Sequence, residues 1–410
     1  MDNTRIRRIL LIAGEYPPYM FGGGATFMYH LSRGLSKKGL DVTVVALKLA
    51  QRLTTETHIE NVDSKLRVIR ISIPSFAYPH HEFFQLRARR IVSKLIRTHD
   101  IIHMNTGLYY PWLRRIIKYS NRPVIVTIHG DPILDAIVSI KCSTLAKVEM
   151  KLYNSLYMLE SYLSLKKEIN DLYPVFVSKS VYETLSRKFN IKHYSIIYNG
   201  IDFDFIDNAL RIPPRTILYN LLRSARERGY KVMLYASRFY PRKNHIALLP
   251  LMHSVLKMGN SKVLLVLTSD GPLWRFIQKK IAKLNLLSRI ILTSRLAYDE
   301  VLRITSLADV VVFPSLYEAH PISIVEALYL RKPVVAFNLP YVKELNESCK
   351  GLNIRFANSF SEFVEKTFEL LTSEKPANID NNNECLFNVF NVERMVESYL
   401  NTYNDAQGLN

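Results

Sequence analysis

The chain has 410 residues, 48% of them hydrophobic, 22% charged and 11% aromatic. At ~150 residues per domain this length favours two to three domains, and the composition excludes global disorder, collagen and coiled coil. Lys and Arg outnumber Asp and Glu by 55 to 36, a formal net charge of +19. That excess implies a polyanionic partner (nucleic acid or an anionic membrane face) or a phosphorylated substrate.

No apolar run approaches the ~18–20 residues of a membrane-spanning helix. The start of the chain has only Ile9–Ala13 as an apolar core, too short for a secretory signal and better suited to a buried first strand. Cys142, Cys349 and Cys385 are odd in number and show no paired spacing, so a reduced, cytoplasmic compartment is expected, with neither a disulfide framework nor a zinc site. Glycine is scarce, 14 residues in all, about half the ~7% average. The glycines that remain therefore call for a positional reason.

In chain order, Arg8–Ala13 reads as a strand, followed by a loop to Gly24 and a helix over Ala25–Lys38 that stops at Gly39. Asp41–Leu47 and Leu66–Ile71 are strands, Phe83–Arg97 a helix and Asp100–Asn105 a strand. Trp112–Tyr119 is a helix, and Pro123–His129, Val175–Ser178 and Tyr194–Tyr198 are strands. Val232–Ala236, Val263–Thr268, Ile290–Thr293, Val310–Pro314 and Pro333–Phe337 repeat the theme, with helical segments between them. Near-continuous apolar strands alternating with amphipathic helices predict parallel sheets covered on both faces. The expected fold is α/β, with two doubly wound Rossmann-like domains facing a central cleft. The expected division is 1–204, 205–382, and a C-terminal helix within 383–410 packing back toward the first domain. Ligands of such sheets bind at the carboxyl ends of the strands.

Four stretches at those ends carry chemistry. Gly22, Gly23 and Gly24 follow the first strand and open a helix, where free N–H groups and the dipole favour an anion; a plain flexible turn would use the same residues. Arg238 and Lys243 follow Val232–Ala236 and could clamp a diphosphate from two sides. Glu318 lies on the loop after Val310–Pro314, Pro321 suits the first turn of the next helix, and Glu326 falls on that helix, so two carboxylates bracket a helix N-terminus at His320–Ser323. His129 ends a strand, where it could bind hydroxyls or assist proton transfer.

Together these stretches resemble the family 4 retaining glycosyltransferases, which have the GT-B fold. The resemblance runs through Tyr16-Pro17-Pro18, Gly22-Gly23-Gly24, His30-Leu31 and Gly39, then Val126-Thr127-Ile128-His129 and Tyr198-Asn199-Gly200-Ile201-Asp202. It continues through Ser237-Arg238 to Lys243, Asp270-Gly271-Pro272 and Ala308-Asp309, and ends on Glu318…Glu326, similar to the E-x7-E motif. The resemblance implies a nucleotide-diphospho-sugar donor, a glycan, lipid-linked or small-molecule acceptor, retention at the anomeric carbon, and no metal or other cofactor. It assigns Arg238 and Lys243 to the diphosphate, Glu326 to the ribose hydroxyls and Glu318 to the transferred sugar. Backbone groups of His320, Pro321, Ile322 and Ser323 would contact sugar and phosphate. Gly22 and Gly23 would line the phosphate side, and His129 would contact the donor sugar near the reacting centre.

The chain departs from the family pattern at Ser237, at Ser294, at Arg331-Lys332-Pro333 and at Tyr341, where glycine is frequent. Two other readings compete. A GT-B nucleotide-sugar epimerase would lack the paired glutamates together with the cation clamp. A non-enzymatic polyanion binder would carry helix–turn–helix, zinc-knuckle or aromatic RNA-binding patterns, so no nucleic-acid partner is expected.

The stretch Tyr78–Gln85 is a candidate for acceptor contact. Residues 1–212 hold 30 basic and 18 acidic residues, and on Phe83–Arg97 a stripe of Arg87, Arg90, Lys94 and Arg97 adjoins an apolar stripe of Phe84, Ala88, Ile91 and Leu95. Reversible contact with an anionic membrane follows as an expectation, with the protein peripheral at the inner face of the cell membrane; a solvated helix face is the plain alternative.

Overall fold

The computed structural model describes residues 6–18, 23–51, 56–74, 80–105, 111–131, 133–134, 137–138, 159–160, 162–163, 165–373 and 382–408. The chain divides into two compact units: Met1–Ile133 with Val148–Gly200 and Phe390–Asn410, and Leu134–Lys147 with Ile201–Val389. The division thus falls between Gly200 and Ile201, and the return to the first unit begins at Phe390.

The first unit holds β1 (Arg8–Gly14), β2 (Asp41–Ala50), β3 (Thr57–Asn61), β4 (Leu66–Pro74), β5 (Ile101–Asn105), β6 (Val124–Ile128), β7 (Tyr173–Phe176) and β8 (Ser195–Ile196). They lie in the order β3-β4-β2-β1-β5-β6-β7-β8. All neighbours are parallel except β3, which runs antiparallel to β4. The second unit has β9 (Lys231–Ala236), β10 (Val263–Thr268), β11 (Ile290–Leu292), β12 (Val310–Phe313), β13 (Val334–Phe337) and β14 (Ile354–Ala357), parallel throughout in the order β11-β10-β9-β12-β13-β14. The strands of both interiors are buried along almost their whole length, because helices cover both faces of a parallel sheet. Strand order reverses between β1 and β5 in one sheet and between β9 and β12 in the other. Those switch points are where an open α/β sheet offers a crevice.

The C-terminal helix Val392–Gly408 belongs to the core of the first unit. Its Val392, Met395, Val396, Tyr399 and Tyr403 pack with Phe27, Leu31 and Leu35 of the helix Gly23–Lys37. The two helices meet at Gly34, where an added Cβ would stand 2.3 Å from Val396 Cγ2. Only glycine allows that approach.

One expectation about the cysteines is overturned. Cys349 and Cys385 form a disulfide with Cα atoms 5.7 Å apart. They are 36 residues apart in sequence, and only the fold brings the end of the helix Pro340–Ser348 against the first turn of Asn383–Phe390. Spacing could not reveal that pairing, and with a disulfide present the cysteines do not indicate a reduced compartment. Cys142 lies outside the described residues. Among the described residues no helix is long and apolar enough to cross a membrane.

Candidate functional site

In the second unit, the loops leaving β9 and β12 are stitched together before any functional side chain is considered. Tyr235, buried on β9, donates its hydroxyl to the Lys243 carbonyl at 3.0 Å and bonds Ser315 Oγ at 2.8 Å. Asn244 Nδ2 donates to the Pro314 carbonyl at 3.1 Å, and Leu316 N–H to the Arg242 carbonyl at 2.9 Å. Asn244 takes the left-handed conformation (φ 53°) after the turn Pro241–Lys243, a region asparagine tolerates better than most residues.

On this frame Lys243 Nζ donates to Glu318 Oε1 at 2.5 Å. Arg238 pairs with Asp270 Oδ1 at 3.2 Å and lies 5.1 Å over the Tyr240 ring. Glu318 is buried on its loop, while Glu326 is buried on the helix Ile322–Tyr329. Pro321 stands at the cap position before that helix, one place earlier than its expected place in the first turn. It has no N–H to offer, so its part is to fix the backbone at the helix entrance. Ile322 and Ser323 begin the helix, where N–H groups lack intrahelical partners. His320 is buried with its ring 4.8 Å from that of Tyr341.

Glu326 is a carboxyl whose titration burial alters. Burial raises its pKa from 4.5 to about 7, partly opposed by a hydrogen bond donated by the Tyr298 hydroxyl. Tyr298 stacks on Phe205 at 5.3 Å. Glu326, Tyr298, Tyr235, Phe313 and Ser323 line a cavity of about 190 Å³. Perturbed carboxyls in a cavity are characteristic of functional sites. The second unit therefore brings together Arg238, Lys243, Glu318, His320–Ser323 and Glu326 around one switch point.

In the first unit, Gly22 lies outside the described residues, whereas Gly23 and Gly24 begin the helix Gly23–Lys37. His129 follows β6, its Nε2 2.6 Å from Asn105 Oδ1, and the Phe27 ring meets it edge-on at 5.1 Å. Burial lowers the His129 pKa from 6.5 to about 4, so the ring is neutral at pH 7. Beneath it, His103 joins Tyr403 and Thr127, each at 2.7 Å, and Thr127 joins Tyr399 at 2.8 Å. Burial holds the His103 pKa at about 3. The C-terminal helix is thus tied by two tyrosine hydroxyls to the strands that carry Asn105 and His129.

Within Tyr78–Gln85, the candidate for acceptor contact, Phe83 is exposed. Phe84 and Gln85 are buried, and Gln85 Oε1 accepts from Trp112 N–H at 2.9 Å; Tyr78 and Pro79 lie outside the described residues. Reading the sequence also missed Asn105 and Tyr298. Asn105 had a signal, a polar residue at the end of a strand beside the switch point. Tyr298 had none, because it depends on the packing of one helix against another. At Arg331, which replaces the family's usual glycine, the backbone is left-handed (φ 58°).

Two Rossmann-like units, the second with cations and carboxylates at its switch point, have the fold of GT-B glycosyltransferases. Residues 21–205 match Glycosyltransferase Family 4 and residues 223–384 match Glycosyl transferases group 1; the chain belongs to this family of glycosyltransferases. It is 25% identical over 345 residues to an uncharacterized glycosyltransferase of Methanocaldococcus jannaschii, covering 82% of each chain. It is 28% identical over 349 residues to the alpha-monoglucosyldiacylglycerol synthase of Streptococcus pneumoniae, covering 82% of this chain and 73% of that one. Among solved structures, the sucrose-phosphate synthase of Thermosynechococcus elongatus aligns with a TM-score of 0.76 at 17% identity, over 98% of this chain and 100% of that one. The Anabaena protein HepE, solved with UDP and glucose, aligns with a TM-score of 0.68 at 15% identity, over 97% and 100%.

Proposed function

We propose that this glycosyltransferase moves a hexosyl unit from a nucleotide-diphospho-sugar to a glycan, lipid-linked or small-molecule acceptor, with retention at the anomeric carbon and without a metal. The observation that carries the reading is the grouping of two cations and two buried carboxyls at one switch point of the second unit. Arg238 and Lys243 would hold the diphosphate and take up the charge that develops as the sugar–phosphate bond breaks, which is where preorganised cations are most effective. Each already faces a carboxylate, so an arriving diphosphate competes with Asp270 and Glu318 for charges that are in position. Glu326 would accept from the ribose hydroxyls, Glu318 would face the transferred sugar, and the N–H groups of His320, Ile322 and Ser323 would contact sugar and phosphate.

His129 would meet the donor sugar near its reacting carbon, with Gly22 and Gly23 on the phosphate side. The acceptor oxygen bonds to the anomeric carbon on the face the leaving group vacates. The bonding pair of the old linkage stays on the diphosphate, and a departing phosphate oxygen takes the acceptor's proton. Relatives solved with UDP and glucose or with UDP-2-fluoro glucose support a nucleotide-sugar donor. The test is to incubate the protein with a panel of nucleotide sugars and acceptors in EDTA and to read the product anomer by proton NMR. Retained configuration without metal supports the proposal; inversion, or an absolute requirement for Mn2+ or Mg2+, contradicts it.

Reversible docking on an anionic membrane is a second element of the proposal. On the helix His80–Leu95 and the turn after it, Arg89, Arg90, Lys94 and Arg97 are exposed. Phe83 and Leu86 on that helix and Trp112 at the start of Pro111–Lys118 are exposed apolar residues. Apolar side chains beside a basic band suit a peripheral membrane surface. The name of the pneumococcal relative, alpha-monoglucosyldiacylglycerol synthase, favours a lipid acceptor on such a surface.

A further inference from the structure

β5 and β6 are parallel neighbours with Asn105 opposite Thr127 and His103 opposite Ile125. Side chains alternate along a strand, so His103, Asn105, Thr127 and His129 share one face of the sheet. Two diagonal hydrogen bonds follow along that face, His103 to Thr127 at 2.7 Å and Asn105 to His129 at 2.6 Å. The first is part of the anchorage of the C-terminal helix. The second touches a residue the mechanism uses.

The orientation of the Asn105 amide is decided by its other partner. Asn105 Nδ2 lies 3.0 Å from the carbonyl oxygen of Gly24. A carbonyl oxygen only accepts, so the amide nitrogen must face it, and the amide oxygen must face His129. An acceptor 2.6 Å from Nε2 requires a proton on that nitrogen. Asn105 is 1% exposed, so water does not compete for either contact. Gly24 makes room for the amide: a Cβ there would stand 3.2 Å from Asn105 Nδ2, tighter than a well-packed contact. The glycine run that opens the helix Gly23–Lys37 is thus linked through one side chain to the histidine at the end of β6.

We propose that Asn105 is a positioning residue for His129: anchored on the Gly24 carbonyl, it fixes the imidazole as the Nε2–H tautomer and leaves Nδ1 as the ring's one acceptor. This rests on the reading of His129 as a sugar-contacting residue. In that tautomer the neutral ring accepts a hydrogen bond from a sugar hydroxyl through Nδ1 and donates none there. Phe27 against the ring limits its rotation, so tautomer and orientation are set before a substrate arrives.

The test uses the full chain with 15N-labelled histidine and long-range proton–nitrogen correlation, with His129 assigned by the signal lost in His129→Gln. The expected wild-type spectrum has a protonated Nε2 and a bare Nδ1 at neutral pH. In Asn105→Ala the two tautomers should mix. Asn105→Asp, which keeps an acceptor, should retain Nε2–H. Gly24→Ala should mix the tautomers by displacing the amide. For sugar transfer, Asn105→Ala should lower kcat about 10- to 100-fold with KM for the donor changed less than about threefold, while Asn105→Asp retains more activity than Asn105→Ala. A wild-type ring protonated on Nδ1, or the same fixed tautomer in both Asn105→Ala and Gly24→Ala, overturns the proposal. If Asn105→Ala does not fold, the wild-type spectrum and Gly24→Ala decide. A fixed Nε2–H tautomer that depends on Asn105, in a protein that transfers no sugar, supports the role of Asn105 and defeats the reading of the site instead.

Discussion

Lys243 and Glu318 form an ion pair at 2.5 Å that joins the loop leaving β9 to the loop leaving β12. With Arg238 on Asp270, it places two cations at one switch point, each held by a carboxylate that a donor diphosphate would displace.

Truncating either cation should therefore affect turnover more than folding. Hydrogen bonds to charged groups contribute about 1.5–3 kcal/mol, so Arg238→Ala and Lys243→Ala should each lower kcat about 10- to 100-fold. Initial rates with saturating donor measure this directly. Rates within twofold of wild type would remove these residues from the mechanism.

Glu326 should make the fold less stable as pH rises. Its native pKa of about 7 exceeds the ordinary 4.5, so between those values the folded state binds more protons than the unfolded one. Its contribution is full below pH 4.5 and is lost as pH rises through 7, up to about 3 kcal/mol. The buried histidines have the opposite sign: His103 and His129, held at about 3 and about 4, lose stability as pH falls below 6.5. Comparing urea unfolding of wild type and Glu326→Gln at pH 5 and pH 8 isolates the carboxyl. The variant should gain on wild type at pH 8 while losing donor affinity. Equal differences at the two pH values would contradict a titrating, buried Glu326.

Gly34→Ala should destabilise the first unit. The added methyl would stand 2.3 Å from Val396 Cγ2, and overpacking of this kind costs about 1–3 kcal/mol. Gly34→Ala combined with Val396→Ala should recover part of the loss. Calorimetric melting of the three proteins checks it; an unchanged Tm for Gly34→Ala would mean the C-terminal helix does not pack on Gly23–Lys37 as described.

The strands that build both cores were legible because burial on two faces leaves continuous apolar runs such as Ile9–Ala13 and Val263–Leu267. β3 was missed because Thr57–Asn61 is an edge strand, mostly exposed and polar. β14, with Arg355 exposed between buried Ile354 and half-buried Phe356, carries no such run either. The C-terminal helix expected within 383–410 spans Val392–Gly408, and its last turns bury Tyr403 and Ala406 among polar neighbours. Of the site, the charged residues at strand ends could be read. The groups that hold them, Asn105 and Tyr298, could not, because their partners are 24 and 28 residues away in sequence. The helix carrying the basic stripe was legible, but Arg87 is not part of its exposed band: it turns inward to the Ser72 carbonyl at 2.5 Å, and Arg89 takes its place.

Vesicle co-sedimentation tests that band. Each cation at an anionic lipid face contributes about 1 kcal/mol, screened by salt. Wild type should pellet with phosphatidylserine-rich vesicles at low salt and leave them at high salt. A variant with glutamine at Arg89, Arg90, Lys94 and Arg97 should stay in solution. Equal pelleting of both proteins, or none of wild type, would make the band a solvated helix face.

The most direct measurement of the central claim is acceptor-dependent release of nucleoside diphosphate from a panel of nucleotide sugars, made in parallel on wild type and Glu326→Ala. Wild type should consume at least one donor, faster when its acceptor is present, and release should fall at least tenfold in Glu326→Ala while its circular dichroism is unchanged. Release by wild type that the folded Glu326→Ala variant matches would contradict the claim.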